Sequence, residues 1–443
     1  MDMPLAWALC GVLAAIVLTL ARSQPRARLR WASLVATGLA VLLLAPAPVL
    51  GPSPWFGALW WGDFPTIDKA GSFAFFQDGV HRGAWPWALP RGPAVALIGA
   101  HLGHLQQVGW AARWMPDHAA FGLVAVAQPL AGWVCTSLWL RGRGVGPWPA
   151  LTMGLPFGLG LHVMRDINWY TIEKGAVFWL PLWLWIVDGA ARRSALAPVA
   201  GLTFLWMCWN NLYLGMVAGV VGLGEGLRSM GRLWQGAPDA RRRWAALTLS
   251  AMAPLPLLHA QMALMAEGAP GVGSPARFLT ERAALDVVSL WPPRWNRLEL
   301  WRAVDPTVGL LGLWGAPALF RARGGAAHAL TCGLLFGLAL GPRLALEPGG
   351  PGPENPLYAL MLQIIPAAWR VAKPEVFAEG ALLLLLLSAG LHLSKQTRTV
   401  QVAALVMVLA SWWPLVRAHP AYPGHSLHQS IRLDPAWSDR GLR

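Results

Sequence analysis

The chain has 443 residues, 56% of them hydrophobic and only 13% charged. A soluble domain carries roughly 25% charged residues, so this composition argues against a water-soluble enzyme and for a chain solvated by lipid, which rejects charge. The net charge of +14 does not indicate a nucleic-acid partner, because the Arg residues recur between apolar stretches and form no single basic domain.

The chain opens Met1-Asp2-Met3, and its basic residues Arg22, Arg26, Arg28 and Arg30 follow the first apolar run. That order predicts an anchor with its N-terminus outside and no cleaved signal peptide. Apolar runs near 4–21, 31–51, 119–140, 147–164, 176–190, 195–209, 212–227, 244–263, 306–320, 326–342, 379–393 and 399–416 give about twelve candidate spans, the requirement being roughly 20 residues each. Alternate connections are short and basic: Arg22–Arg30, Arg141 with Arg143, Arg192 with Arg193, Arg228 through Arg243, Arg321 with Arg323, and Lys395 with Arg398. They would face the cytoplasm. Three longer outward segments remain, near 51–118, 264–305 and 341–379.

The first outward segment contains Pro93–Met115, a mildly apolar stretch with His101, His104, Gln106 and Gln107. Its polar groups predict a helix at the outer interface or dipping into the bundle. The third holds an apolar helix, Leu357–Trp369. The expected architecture is an all-α, polytopic membrane bundle over 1–416, followed by a polar tail, 417–443. The 28 Trp residues suit the membrane interface, where the ring sits at headgroup level.

Cys10, Cys135, Cys208 and Cys332 each sit in an apolar run, with neither disulfide nor zinc spacing, and read as small buried hydrophobes. His101 and His104 share a helical face, but no third ligand is fixed by spacing, so neither metal nor cofactor is expected. No Walker motif appears, which argues against an ATP-driven pump.

Several motifs fall in a suggestive order. Gly62-Asp63 follows a predicted span; Arg165-Asp166-Ile167-Asn168-Trp169-Tyr170 and Glu173-Lys174-Gly175 follow Pro147–Val163. Asn210-Asn211-Leu212-Tyr213-Leu214-Gly215 forms a polar aromatic turn between spans. Ala284-Leu285-Asp286, Trp291-Pro292-Pro293 and Gly309-Leu310-Leu311-Gly312 come next. Leu340-Gly341-Pro342, Pro356-Leu357-Tyr358, Ile365-Pro366 and Trp369-Arg370-Val371 complete the series. The order resembles the YfhO-like bacterial branch of the GT-C glycosyltransferases over about residues 31–395. Where that family commonly continues with a Pro-Arg-Phe-like element, this chain reads Lys373-Pro374-Glu375-Val376-Phe377, with the basic residue before the proline and a Glu after it.

The resemblance implies a GT-C fold in a bacterial inner membrane. It implies transfer of a sugar from a polyprenyl-phosphate donor to a lipid, glycan or protein acceptor on the extracytoplasmic face. Asp63 is the position it carries over as catalytic base. The residues themselves allow this: Trp60-Trp61-Gly62-Asp63-Phe64-Pro65 places a carboxylate among aromatics that can wall a sugar site. The same Asp would also cap a helix beginning near Pro65. Asp68 is a weaker acidic candidate.

Arg370, Lys373 and Arg165 are outward cations able to hold a phosphate, or interfacial side chains that snorkel. Asp166 is a second carboxylate or a salt-bridge partner of Arg165. Asn210 and Asn211 read a sugar hydroxyl or satisfy a helix end, and Tyr213 in the same turn is a further substrate-binding candidate. Two rival readings stand beside the transferase: a transporter or flippase, and a GT-C-like scaffold without catalysis.

Overall fold

The computed structural model describes residues 107, 114, 117–160, 163, 176–256, 306–321, 324–344, 352–364 and 374–411. Among them the structure is helical, with no strand beyond an isolated antiparallel bridge, Arg343 to Glu354. The helices are α1 (Asp117–Gly142), α2 (Pro147–Gly158), α3 (Trp179–Ala190), α4 (Leu196–Asn210), α5 (Leu212–Trp234) and α6 (Pro238–Met252). After these come α7 (Pro306–Arg321), α8 (Gly325–Ala339) and α9 (Pro356–Ile364). A 3-10 turn, Pro374–Val376, then leads into α10 (Phe377–Leu393), and α11 (Arg398–Ser411) follows.

Local chemistry sets the boundaries. Pro147 and Pro238 open α2 and α6 at positions where a missing N–H costs nothing. Asn211 separates α4 from α5: its backbone is extended, and its Oδ1 accepts from Leu214 N at 3.2 Å. Ten of the predicted apolar runs fall on helices, with shifts that have causes; those near 4–21 and 31–51 lie outside the described residues. No proline or left-handed glycine intervenes before Gly236, so α5 runs past 227 to Trp234 and carries Arg228 and Arg232 on the helix. The start at Pro238 likewise puts Arg241, Arg242 and Arg243 on the first turns of α6 rather than in a loop. The segment expected to begin at 379 begins at Pro374, which brings Glu375 into it.

Helix α10 lies centrally, against α7 and α8 and touching α2 and α5. Leu382, Leu383, Leu384, Leu386 and Leu387 are all buried there. Small residues set the crossings, where they let helix backbones approach closely. A Cβ on Gly315 would fall 2.5 Å from the Ser388 carbonyl, and Ser388 Oγ donates to Gly312 O at 3.0 Å. A Cβ on Gly158 would overlap the Trp133 backbone, so α1 and α2 meet at that glycine. Cys208 and Cys332 are buried and Cys135 half-buried, all three as free thiols.

Among the described residues Pro374–Leu393 alone is long and apolar enough to cross a membrane; Ala176–Ala190, Leu196–Asn210, Gly325–Ala339 and Arg398–Ala410 are apolar but shorter. The bundle nevertheless turns large apolar side chains outward. Leu202, Leu223, Leu313 and Leu330 are 65%, 68%, 67% and 71% exposed, whereas Glu225 is 1% exposed.

Candidate functional site

Two polar centres lie at opposite ends of the bundle. The first gathers where α4 ends, α5 and α10 begin, and α9 packs on α8. A chain of amides joins α1 to α4: Gln128 Nε2 donates to Gln107 Oε1 at 3.1 Å, and Gln107 Nε2 donates to Asn210 Oδ1 at 2.7 Å. Asn210 returns its own Nδ2 to Trp206 O at 2.8 Å. Gln107 is the one described residue of the polar stretch Pro93–Met115 besides Trp114, and it is half-buried against the helices.

Asn355 fixes α9. Its Nδ2 donates to the carbonyls of Gly337 at 2.7 Å and Gly341 at 2.8 Å, and its Oδ1 accepts from Leu357 N at 3.1 Å. This pins Tyr358, whose ring is buried and whose hydroxyl has no hydrogen-bond partner among the described residues. Burial raises the Tyr358 pKa above the ordinary phenol value, and the nearby Tyr213 and Glu375 raise it further. Tyr213, Tyr358 and Glu375 therefore share one neighbourhood, joined by the 3-10 turn packing against α5 and α8. Glu375 and Glu379 are both buried at the head of α10.

The second centre lies about 18 Å further along α5, at 1.5 Å per residue from Tyr213 to Glu225. Helix α1 ends in a turn closed by Gly144, whose φ of 89° favours glycine, and Arg141 Nη1 donates to Val145 O at 2.7 Å. The turn presents Arg143. Its Nη2 donates to Glu225 Oε1 at 2.8 Å, and its Nε makes a short 2.5 Å bond to Asp188 Oδ2 on α3. Arg228 reaches Glu225 Oε2 through Nη2 at 2.8 Å and Nε at 3.0 Å. Arg243 of α6 reaches the same oxygen through Nη1 at 2.8 Å. His328 Nε2 of α8 lies 3.0 Å from Glu225 Oε1. Arg243 Nη2 stands 2.8 Å from Asp188 Oδ1, an ion pair lying off the axis of a hydrogen bond.

Burial opposes the charge of Arg143. The Asp188 and Glu225 carboxylates outweigh that effect and hold its pKa above the ordinary guanidinium value.

No family model, curated protein or solved structure matches the chain.

Of the residues singled out by sequence, Asn211 and Tyr213 fall in the first centre, where Asn211 demonstrably caps α5. Asp63, Asp68, Arg165, Asp166, Arg370 and Lys373 lie outside the described residues. Sequence reasoning noted Glu375 only as a departure from a motif, and passed over Tyr358 and Glu379 as site residues. It also passed over Asp188, Glu225 and His328. The available signal was a lone ionisable group inside an apolar run, which is costly in lipid unless it serves a purpose. Among the described residues no three His, Cys, Asp or Glu side chains group to hold a metal.

Proposed function

We propose that this chain is a polytopic bacterial inner-membrane protein of GT-C type that transfers a sugar from a polyprenyl-phosphate donor to an acceptor outside the cytoplasm. The observation that carries this reading is the first polar centre: Tyr213, Tyr358 and Glu375 share one neighbourhood, with the buried Glu379 one turn further along α10, at one end of helices whose outer faces are apolar. That end is the one from which the predicted outward segments emerge. Lys373 directly precedes Pro374, so a cation predicted to hold phosphate adjoins the buried Glu375 in the chain.

In the proposed reaction Asp63 takes the proton of the acceptor hydroxyl. The acceptor oxygen forms a bond to the anomeric carbon, and the carbon–phosphate oxygen bond breaks with its electron pair going to polyprenyl phosphate. Arg370 and Lys373 stabilise the phosphate as it leaves. Glu375 and Tyr358 accept from and donate to sugar hydroxyls, which gives the buried phenol its partner.

Purified protein is assayed for turnover of polyprenyl-phosphate sugars with Tyr358→Phe and Glu375→Gln. Each loss of a substrate hydrogen bond is expected to lower kcat/KM by roughly 10-fold or more. Unchanged kcat/KM in both variants, with an active wild type, would move the sugar site away from this centre.

A further inference from the structure

The second polar centre has no role in the transfer reaction, and its charges do not balance. Three guanidiniums, Arg143, Arg228 and Arg243, face two carboxylates, Asp188 and Glu225. Among the described residues one positive charge is in excess before His328 is considered. The arginine side chains are only 9%, 19% and 13% exposed, so water compensates that excess poorly.

Two buried indole N–H groups beside the cluster lack acceptors among the described residues, and the one acceptor without a hydrogen bond, Asp188 Oδ1, is already ion-paired to Arg243 and Arg228. Arg143 stands over the Trp139 ring, 5.3 Å from its centroid, and the Trp139 indole N–H is buried without an acceptor among the described residues. Trp244 follows Arg243 in the chain and packs on Gly226, the residue after Glu225; its buried N–H likewise lacks an acceptor. Gly324, at φ 79°, packs directly on the Arg228 side chain, where a Cβ would overlap it, and so fixes that arginine's stem against the start of α8. Excess cation with unmet donors is the complement of an oxyanion.

The geometry points to an anion site here: the Arg143, Arg228 and Arg243 cluster, walled by Trp139 and Trp244, binds a phosphate group. The ligand is either a phospholipid headgroup or a soluble phosphate. The site stands independently of the transfer reading.

The test uses full-length protein in phosphatidylcholine nanodiscs, with thermal unfolding as the readout. Inorganic phosphate is titrated against chloride at constant ionic strength; in a second arm, phosphatidylglycerol replaces part of the phosphatidylcholine. Saturable stabilisation by inorganic phosphate assigns a soluble ligand, and stabilisation by phosphatidylglycerol alone assigns a headgroup. In either arm Arg243→Gln should weaken the apparent affinity by roughly 10-fold, and Arg193→Gln, an exposed arginine, should leave it unchanged. Trp244→Phe keeps the carboxylates paired and removes one indole donor, so it tests the site even if Arg243→Gln fails to fold; it should weaken binding in the same direction. No stabilisation beyond chloride in both arms overturns the proposal. So does stabilisation that Trp244→Phe leaves unchanged.

Discussion

Arg143 and Glu225, 82 positions apart in the chain, meet at 2.8 Å with side chains 9% and 1% exposed. The pair ties the turn after α1 to the middle of α5, and through Asp188, Arg243 and His328 it reaches α3, α6 and α8. A buried pair adds little over an apolar replacement of both partners, but removing one partner strands the other. Glu225→Ala leaves three guanidiniums with a single carboxylate. It should cost about 3–5 kcal/mol of stability, read by denaturant unfolding in detergent. A double-mutant cycle of Glu225→Gln with Arg143→Gln should show coupling; additive losses would contradict the pairing.

Two glycines should respond with opposite signs. Gly158→Ala drives a Cβ into the Trp133 backbone at the α1–α2 crossing, and overpacking of that kind costs about 1–3 kcal/mol. Gly219, within α5, has nothing within 4 Å of an added Cβ, so Gly219→Ala should stabilise by about 0.5–1 kcal/mol through helix propensity. Thermal unfolding of the two variants side by side measures both.

Asn355→Ala removes the two donors that hold Gly337 O and Gly341 O and the acceptor for Leu357 N. Each stranded buried group costs about 1–3 kcal/mol. The loss should fall on the α8–α9 junction, and Tyr358 should become more exposed to quenchers. Protection of Tyr358 unchanged in a folded variant would show that α9 is held by other contacts.

The raised Tyr358 pKa has a signed consequence. The unfolded phenol titrates near its ordinary value of about 10, whereas the folded one holds its proton to higher pH because of burial, Tyr213 and Glu375. The stability this contributes is complete below about pH 10 and is lost as pH rises toward the folded pKa. Tyr358→Phe should flatten the alkaline fall in stability. With only four Tyr residues in the chain, a spectrophotometric titration should resolve one phenol that ionises late. Four phenols titrating together in the folded protein would contradict this.

The helices were largely legible because apolar runs, prolines at helix starts and glycines at turns mark them locally. The second polar centre was not. Arg143, Asp188, Glu225, Arg243 and His328 lie on five separate segments, and each taken locally is a single ionisable group in or beside an apolar run. Only the packing of α5 against α6 and α8 shows that they converge. Glu375 was visible as an odd residue after Pro374, but its neighbourhood with Tyr358 depends on α9 folding back through Asn355, a long-range contact that spacing does not encode. Asn211 and Tyr213 were legible because one turn places both.

The central claim is sugar transfer at the outer face, and Asp63→Asn in purified protein tests it most directly. Turnover of a broad pool of polyprenyl-phosphate sugars and donor binding are measured in parallel for wild type and variant. The account predicts turnover by the wild type, and loss of turnover with retained donor binding in the variant. A wild type that neither turns over nor binds any donor in the pool would contradict it.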